Sequence, residues 1–245
     1  MSKTENQVVL ITGAAKRIGK TIAKLFHENG YCIAMHFHRS QTEAAALASD
    51  FNTIRNNSAA VFNADLEKTN DVAALAKAVT DYFGRVDTLV NNASSFYPTP
   101  IGSASEADWD NLIGSNVKAP FFLAQALAAE LKRTRGNIIN IADIYAERPK
   151  PKHTIYCIAK AGNVMLTKSM AVELAPEVRV NGIAPGAMLA PVGTEVEEPS
   201  EITNVPLNKF GGAEAIAKTA FYLATQAEYT TGQILAVDGG KSLAI

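Results

Sequence analysis

The sequence predicts a single doubly wound α/β domain over residues 1–245, built on a parallel sheet of about seven strands. Three observations predict it. Short β-branched apolar runs alternate with helical patterns along the whole chain, the order of a sheet built from crossovers. Those runs are apolar throughout, as strands covered on both faces are. No repeat, low-complexity tract or linker divides the chain. The composition, 47% hydrophobic, is enough for one sizeable core. A formal charge of −1 without a basic stripe argues against nucleic acid or an anionic membrane as partner. No apolar run is long enough to span a bilayer. Residues 1–7 lack the apolar centre of a signal peptide, and Cys32 and Cys157 lack a CxxC spacing. The expectation is a cytoplasmic protein with reduced thiols.

Val8-Val9-Leu10-Ile11-Thr12 reads as the first strand. Gly13-Ala14-Ala15-Lys16-Arg17-Ile18-Gly19 follows and opens a helix with Ile18, Ile22, Leu25 and Phe26 on one face, stopping at Asn29-Gly30. Strand, glycine-bearing turn and helix is how a dinucleotide fold sets a pyrophosphate at a helix N-terminus. The spacing is not G-x-G-x-x-G, and an ordinary strand-to-helix turn is the bland reading. The second strand, Tyr31-Cys32-Ile33-Ala34-Met35-His36-Phe37, ends at His38-Arg39-Ser40. A fold that selects NAD places an acid here for the ribose 2′-hydroxyl. No acid occurs between Gly30 and Glu43, while Arg39 and Ser40, with Arg17, suit a 2′-phosphate. NADPH/NADP+ is therefore the expected cofactor. His36 and His38 alternate as a metal pair would, but no third ligand accompanies them; they read as structural, and no metal is expected.

A helix over 43–55 leads to a third strand at 59–63. Asp65-Leu66 follows, at a strand end where such a sheet presents ligand contacts; Asp65 either bonds an adenine amino group or caps the next helix. Val72, Leu75, Ala76, Val79 and Phe83 form a core stripe. Strand four, Thr88-Leu89-Val90, gives way to Asn91-Asn92-Ala93-Ser94-Ser95-Phe96-Tyr97-Pro98. Small residues there let a backbone approach a ligand, and Phe96 is placed to stack on a flat heterocycle. A long helix opens at Asp108-Trp109 and contains Asn116, which would bond backbone or water rather than substrate. Strand five, Gly136-Asn137-Ile138-Ile139-Asn140-Ile141, ends at Ala142-Asp143. The loop Arg148-Pro149-Lys150-Pro151-Lys152 returns the chain so that Asp143 and Tyr156 face one cleft. A helix follows over 155–175, then strand six from Arg179 to Ala184, ending at Pro185-Gly186. Residues 187–209 show no regular pattern and carry Glu195, Glu197, Glu198 and Glu201; so long an irregular stretch is a lid or a disordered loop, and a mobile substrate lid is the favoured reading. A last helix at 213–227 and the strand Ile234-Leu235-Ala236-Val237 close the chain.

Tyr156 and Lys160 stand four apart on one helix face. A phenol titrates near ~10, and a neighbouring ammonium lowers that value, so the pair reads as a proton-transfer unit.

Taken in order, Thr12-Gly13 with Gly19, Asn91-Asn92-Ala93, Asn116, Tyr156-x-x-x-Lys160, Pro185-Gly186 and Asp238-Gly239-Gly240 resemble the short-chain dehydrogenase/reductase family over nearly the whole chain. Two departures narrow the resemblance. Arg17 stands where the family usually has a third glycine, and Asp143 where it usually has a catalytic serine. Both are features of its pteridine reductase branch, as are His36-Phe37-His38-Arg39-Ser40, the Asn91–Pro100 stretch and Thr154-Ile155-Tyr156-x-x-Ala159-Lys160.

The resemblance implies an NADPH-dependent reduction of dihydropterins, and of dihydrofolate, to the tetrahydro forms, with a dihydromonapterin reductase-like role as the nearest variant. It implies that Tyr156, supported by Asp143, protonates a ring nitrogen. Lys160 would hold the nicotinamide ribose and lower the tyrosine's pKa, Phe96 would stack on the pterin, and Asn116 would anchor a water. Gly13, Arg17, Ile18, Gly19, His38, Arg39, Ser40, Asp65, Leu66, Asn92, Ala93, Ser94, Lys160, Pro185 and Gly186 would meet the cofactor. Arg17, Ser94, Phe96, Asp143 and Tyr156 would meet the substrate. A homotetramer is implied as well. The rivals are a 3-oxoacyl-carrier reductase of the same family, which Asp143 disfavours, and a non-catalytic NADP-binding regulator, which the retained Tyr156 and Lys160 disfavour.

Overall fold

A computed structural model of the chain describes residues 6–189 and 202–244. Its seven strands are β1 (Val8–Ile11), β2 (Cys32–Phe37), β3 (Ala59–Asn63), β4 (Thr88–Asn91), β5 (Asn137–Ile141), β6 (Arg179–Pro185) and β7 (Ile234–Val237). They form one sheet in the order β3-β2-β1-β4-β5-β6-β7, and every pairing is parallel. The chain winds outward from β1 to β3, returns to β4, and winds outward again. The C-terminal ends of β1 and β4 therefore lie side by side where the winding reverses, the place at which open parallel sheets bind ligands.

Continuous apolar strands follow from burial on both faces. Along β1, Val9 and Ile11 point to one side, where Ile22 and Phe26 of α1 (Arg17–Glu28) and Ile216 and Ala220 of a C-terminal helix cover them. Val8 and Leu10 point to the other, against Val72 and Leu75 of α3 (Thr69–Phe83) and Leu123 and Leu127. Each large side chain so buried is worth roughly 1.5–3 kcal/mol. The remaining helices are α2 (Gln41–Ile54), α4 (Glu106–Ile113), α5 (Ala119–Thr134), α6 (Thr154–Glu173) and α7 (Gly212–Thr225), to which Ile216 and Ala220 belong.

Several expectations change. The helix expected to open at Asp108 starts at Glu106, because Ser105 and Asp108 form a reciprocal capping box. It is not one long helix: Gly114–Lys118 forms a wide π-helical turn between α4 and α5, and Asn116 sits in that turn. Of the expected lid, residues 190–201, with all four of its glutamates, lie outside the described residues. Its flanks are tied to the body by backbone bonds from Gly211 to Ala187, Gly212 to Met188 and Leu207 to Gly239.

A chain of buried amides and a hydroxyl crosses the interior. Asn91 Nδ2 donates to Asn140 Oδ1, Asn140 Nδ2 to Thr167 Oγ1, Thr167 Oγ1 to the Asn163 carbonyl, and Asn163 Nδ2 to the Asn116 carbonyl. It links β4, β5, α6 and the π-turn. All five residues are at most 4% exposed.

His36 is a structural histidine, as expected, with a role the sequence did not show. Its Nδ1 accepts from the Gly13 N–H (3.2 Å) and its Nε2 lies 3.1 Å from the Ala64 carbonyl. Since one partner only donates and the other only accepts, the proton sits on Nε2. Burial pushes its pKa down to about 4, against the pull of the Ala64 carbonyl. The unfolded chain takes up this proton near pH ~6.5, so stability falls as pH drops from there toward about 4, by roughly 3 kcal/mol in all. The expected result is a Tm that declines steeply across this window, with a flatter profile in the His36→Asn variant; parallel profiles for the two proteins would exclude His36 as the cause.

Candidate active site

The first end of the site is the turn after β1. Gly13 adopts φ +65°, and a Cβ there would press on Ala93 Cα and Asn92 Nδ2 at 3.3 Å. Thr12 Oγ1 accepts from the N–H groups of Asn92 and Ala93, and Asn92 Nδ2 donates to the carbonyls of Thr12 and Gly13. The β1 and β4 ends are thus laced together. The Asn92 amide is committed to this lacing, so a cofactor contact at Asn92 falls to its backbone. Arg17 takes φ +51°, the left-handed conformation that glycine normally supplies. Behind it, Gly19 packs so closely that a Cβ would lie 2.2 Å from the Gly13 carbonyl. No side chain caps the N-terminus of α1 and no acid lies in its first turn. Its unshared N–H groups and dipole favour an anion.

A cavity of about 320 Å³ opens beside this turn. Gly13, Lys16, His38, Arg39 and Ser40 line it, with Glu67 and Asn111 on the far wall. Lys16 is held by Glu43 at 2.7 Å. A helix N-terminus, a turn bounded by Gly13 and Gly19 and three nearby cations, Lys16, Arg17 and Arg39, fit a phosphate-linked dinucleotide. Asp65 and Leu66 are not on the cavity wall. The Asp65 carboxylate accepts from the Glu67 N–H and pairs with Lys68 at 3.2 Å, while Leu66 packs against the core. Nor does Asp65 cap α3, whose N-cap is Lys68. Sequence reasoning missed the wall residues Ala15, Lys16, Phe37 and Ser95, and also Glu67 and Asn111, which are hydrogen-bonded to each other at 2.5 Å. Their strand-end and helix positions were legible; their meeting across forty-odd residues was not.

The second end is the proton-transfer cluster. Tyr156 Oη donates to Asp143 Oδ2 at 2.6 Å, and Asp143 Oδ1 accepts from the Tyr145 N–H at 2.9 Å. Asp143 is oriented because it also caps the short 3-10 turn Ile144–Ala146. Lys160, 2% exposed, donates to the Ile141 carbonyl at 2.8 Å and lies 5.6 Å from the Tyr156 ring centre. Burial lowers its pKa to about 8, partly opposed by Asp143. Burial also raises the Asp143 carboxyl, against the hydrogen bonds from Tyr156 and Tyr145. The expected lowering of the tyrosine's pKa is reversed: burial first, then the Asp143 charge, hold the phenol well above its usual value, with Ser94 pulling the other way. Tyr156 is a neutral phenol carrying a proton, and Asp143, not Lys160, is its nearest electrostatic partner.

Ser94 and Asn116 join the cluster. Ser94 Oγ donates to Asn116 Oδ1 (2.7 Å), and Asn116 Nδ2 donates to the carbonyls of Ser95 and Leu112. Asn116 thus bonds backbone, as expected, and its own carbonyl is engaged by Asn163. Phe96 is half exposed and meets Tyr156 in a T-shaped contact (4.7 Å, 71°). On the opposite side Pro185 ends β6, and Gly186 packs against Asp238, where a Cβ would come within 2.6 Å.

An open parallel sheet, a glycine-bearing turn suited to a phosphate at its reversal point and a buried Tyr–Lys pair at the other end of the site are the features of a nucleotide-dependent oxidoreductase. Comparison with known proteins agrees. The family model described as enoyl-(acyl carrier protein) reductase matches residues 13–242. Pteridine reductase 1 of Leishmania tarentolae is 37% identical, covering 96% of each chain. The 3-oxoacyl-[acyl-carrier-protein] reductases of Staphylococcus epidermidis and Synechocystis are each 34% identical, over 96% and 98% of this chain and 98% of their own. The chain belongs to the short-chain dehydrogenase/reductase family, oxidoreductases that use nicotinamide cofactors. Among the described residues, no helix is long and apolar enough to cross a membrane.

Proposed function

We propose that this protein reduces dihydropterins, and dihydrofolate, to their tetrahydro forms with NADPH. The observation that carries the reading is the Asp143–Tyr156 hydrogen bond, a carboxyl where related reductases place a serine hydroxyl. A ketone becoming an alkoxide needs one proton donor and a neutral hydroxyl beside it. A pterin instead needs a proton delivered to a ring nitrogen as the adjacent carbon gains hydride. Bound NADPH supplies that hydride. Tyr156 gives its proton to the nitrogen. Its raised pKa makes it a weak acid, so transfer waits until the nitrogen becomes strongly basic. Asp143 accepts the Oη–H bond and steadies the phenol; once the phenol has given up its proton, the carboxylate takes one from solvent water and passes it to the phenolate. Lys160 holds the nicotinamide ribose, and Phe96 stacks on the heterocycle. Asn116, through Ser94, fixes the wall and anchors a water. Arg39, Ser40, His38 and Arg17 take the 2′-phosphate, Gly13, Ile18 and Gly19 the diphosphate, and Ala93, Pro185 and Gly186 the ring-bearing half; Ser94 and Arg17 also touch the pterin. Resemblance to the family adds a cytoplasmic homotetramer.

The 34% identity to acyl-carrier reductases supports a second reading, reduction of a 3-oxoacyl thioester. NADPH and NADH oxidation with dihydrobiopterin, dihydromonapterin, dihydrofolate and an acetoacetyl thioester, side by side, separates them. The expected kcat/KM is at least about tenfold higher for a pterin than for the thioester, and for NADPH than for NADH. A thioester preference would transfer the assignment to the second reading.

A further inference from the structure

We propose that His153 is a positioning residue: its imidazole backs one face of Phe96 and holds that ring as a one-sided platform beside Tyr156. The inference rests on the pterin reading above and names what sets the platform.

His153 immediately precedes α6, the helix that carries Tyr156 and Lys160, and is 8% exposed. Its ring lies 4.8 Å from that of Phe96 with 17° between the planes, face against face. Phe96 and Tyr156 meet in a T-shaped contact, their ring centres 4.7 Å apart. The imidazole is anchored around its rim. Its Nδ1 is 2.8 Å from the Pro151 carbonyl, which can only accept, so Nδ1 carries the proton. The His153 N–H donates to the Lys150 carbonyl, and its own carbonyl accepts from Cys157 in the first turn of α6. Beside it, the Thr99 N–H donates to the Lys152 carbonyl at 2.6 Å, tying the Phe96 loop to the His153 loop.

The two rings differ in kind. His153 is a fixed plate, whereas Phe96 is half exposed and, among the described residues, touches rings only at His153 and Tyr156. A phenyl without backing presents face or edge by turn. With an imidazole against one face, one face remains for a ligand, set before the ligand arrives. Ordering done in advance is not charged to binding, so affinity rises. The effect falls on flat ligands and spares the cofactor turn, which lies at the other end of the site.

The experiment uses His153→Ala, His153→Leu and His153→Phe, with 2,4-diaminopteridine as binding probe in the presence of NADP+. Expected for the Ala and Leu variants is a rise of about fivefold in the probe Kd and in KM for dihydrobiopterin, the size of a stacked pair. Their kcat and NADPH Kd should stay within about twofold of wild type. The Phe variant keeps the stacking face while losing the Nδ1–H bond, and should restore both constants. Leu fills the same space without a π-face and serves should the Ala variant not fold. Equal binding by the Leu and Phe variants, or a wild-type probe Kd in every variant, overturns the inference. Wild-type protein that reduces the thioester yet does not bind the probe sinks the pterin reading and this inference together; wild-type binding with indifferent variants sinks this inference alone.

Discussion

Tyr156→Phe should lower kcat for dihydropterin by about a hundredfold or more, the usual scale for loss of a positioned proton donor. The substitution removes one oxygen. It leaves the ring that packs with Leu112 and Ile155 and makes the T-shaped contact with Phe96, so the fold has little to lose. The cofactor turn is built from β1, β4 and α1 and does not touch Tyr156, so the Kd for NADPH should hold within about twofold. One further consequence separates a proton donor from a mere wall. In the variant Asp143 loses its 2.6 Å donor, and a buried carboxyl with one fewer hydrogen bond to its charged form binds its own proton more tightly. Residual activity should therefore follow a shifted pH profile. Single-turnover rates at saturating NADPH, measured across pH, provide the check; near-normal turnover would remove Tyr156 from the chemistry.

Asp143→Ser and Asp143→Asn should each lower pterin turnover by about a hundredfold, on the same scale for proton transfer. They should do so for different substrates in different ways. Serine keeps a hydroxyl near the phenol and leaves the acyl thioester rate unchanged or higher. Asparagine keeps the carboxyl's shape but cannot carry or return a proton, and slows both. Stability offers a control with a definite sign. The folded state raises the Asp143 pKa, so the folded carboxyl binds its proton more tightly than the unfolded one. Its contribution is complete at low pH and is lost as pH rises through the folded value. At neutral pH the uncharged Asn variant should thus melt no lower than wild type. Pterin turnover that survives both substitutions would show that the carboxyl is not what selects the substrate.

Much of the fold was legible because burial on both faces leaves one signature, a run such as Val8-Val9-Leu10-Ile11, that little else mimics. Tyr156 and Lys160 were legible because their spacing on a helix is itself geometry. Asp143 was legible only as an occupant of a position; its 2.6 Å bond to Tyr156 needed the fold. What the sequence concealed were contacts between distant segments. His36 bolting Gly13, Glu67 meeting Asn111, and the π-turn that presents Asn116 all join residues with no local pattern in common. The tyrosine's pKa was misread for a related reason. Spacing reports the lysine one turn away but is blind to burial and to a carboxyl from the end of another strand, and those two effects set the direction of the shift.

The line of buried amides through β4, β5, α6 and the π-turn has a consequence for how this enzyme tolerates change. Oily side chains can slide over one another by an ångström and lose little; an amide that misses its mate in a dry interior forfeits the whole bond. Helix α6 is thus keyed into one rotational setting, and Tyr156 inherits its aim from residues as much as three turns away. Lineages descended from this scaffold can swap the groups facing the ligand freely, while drift in these unseen asparagines would at once lower the melting point and blur the aim of the helix that carries Tyr156.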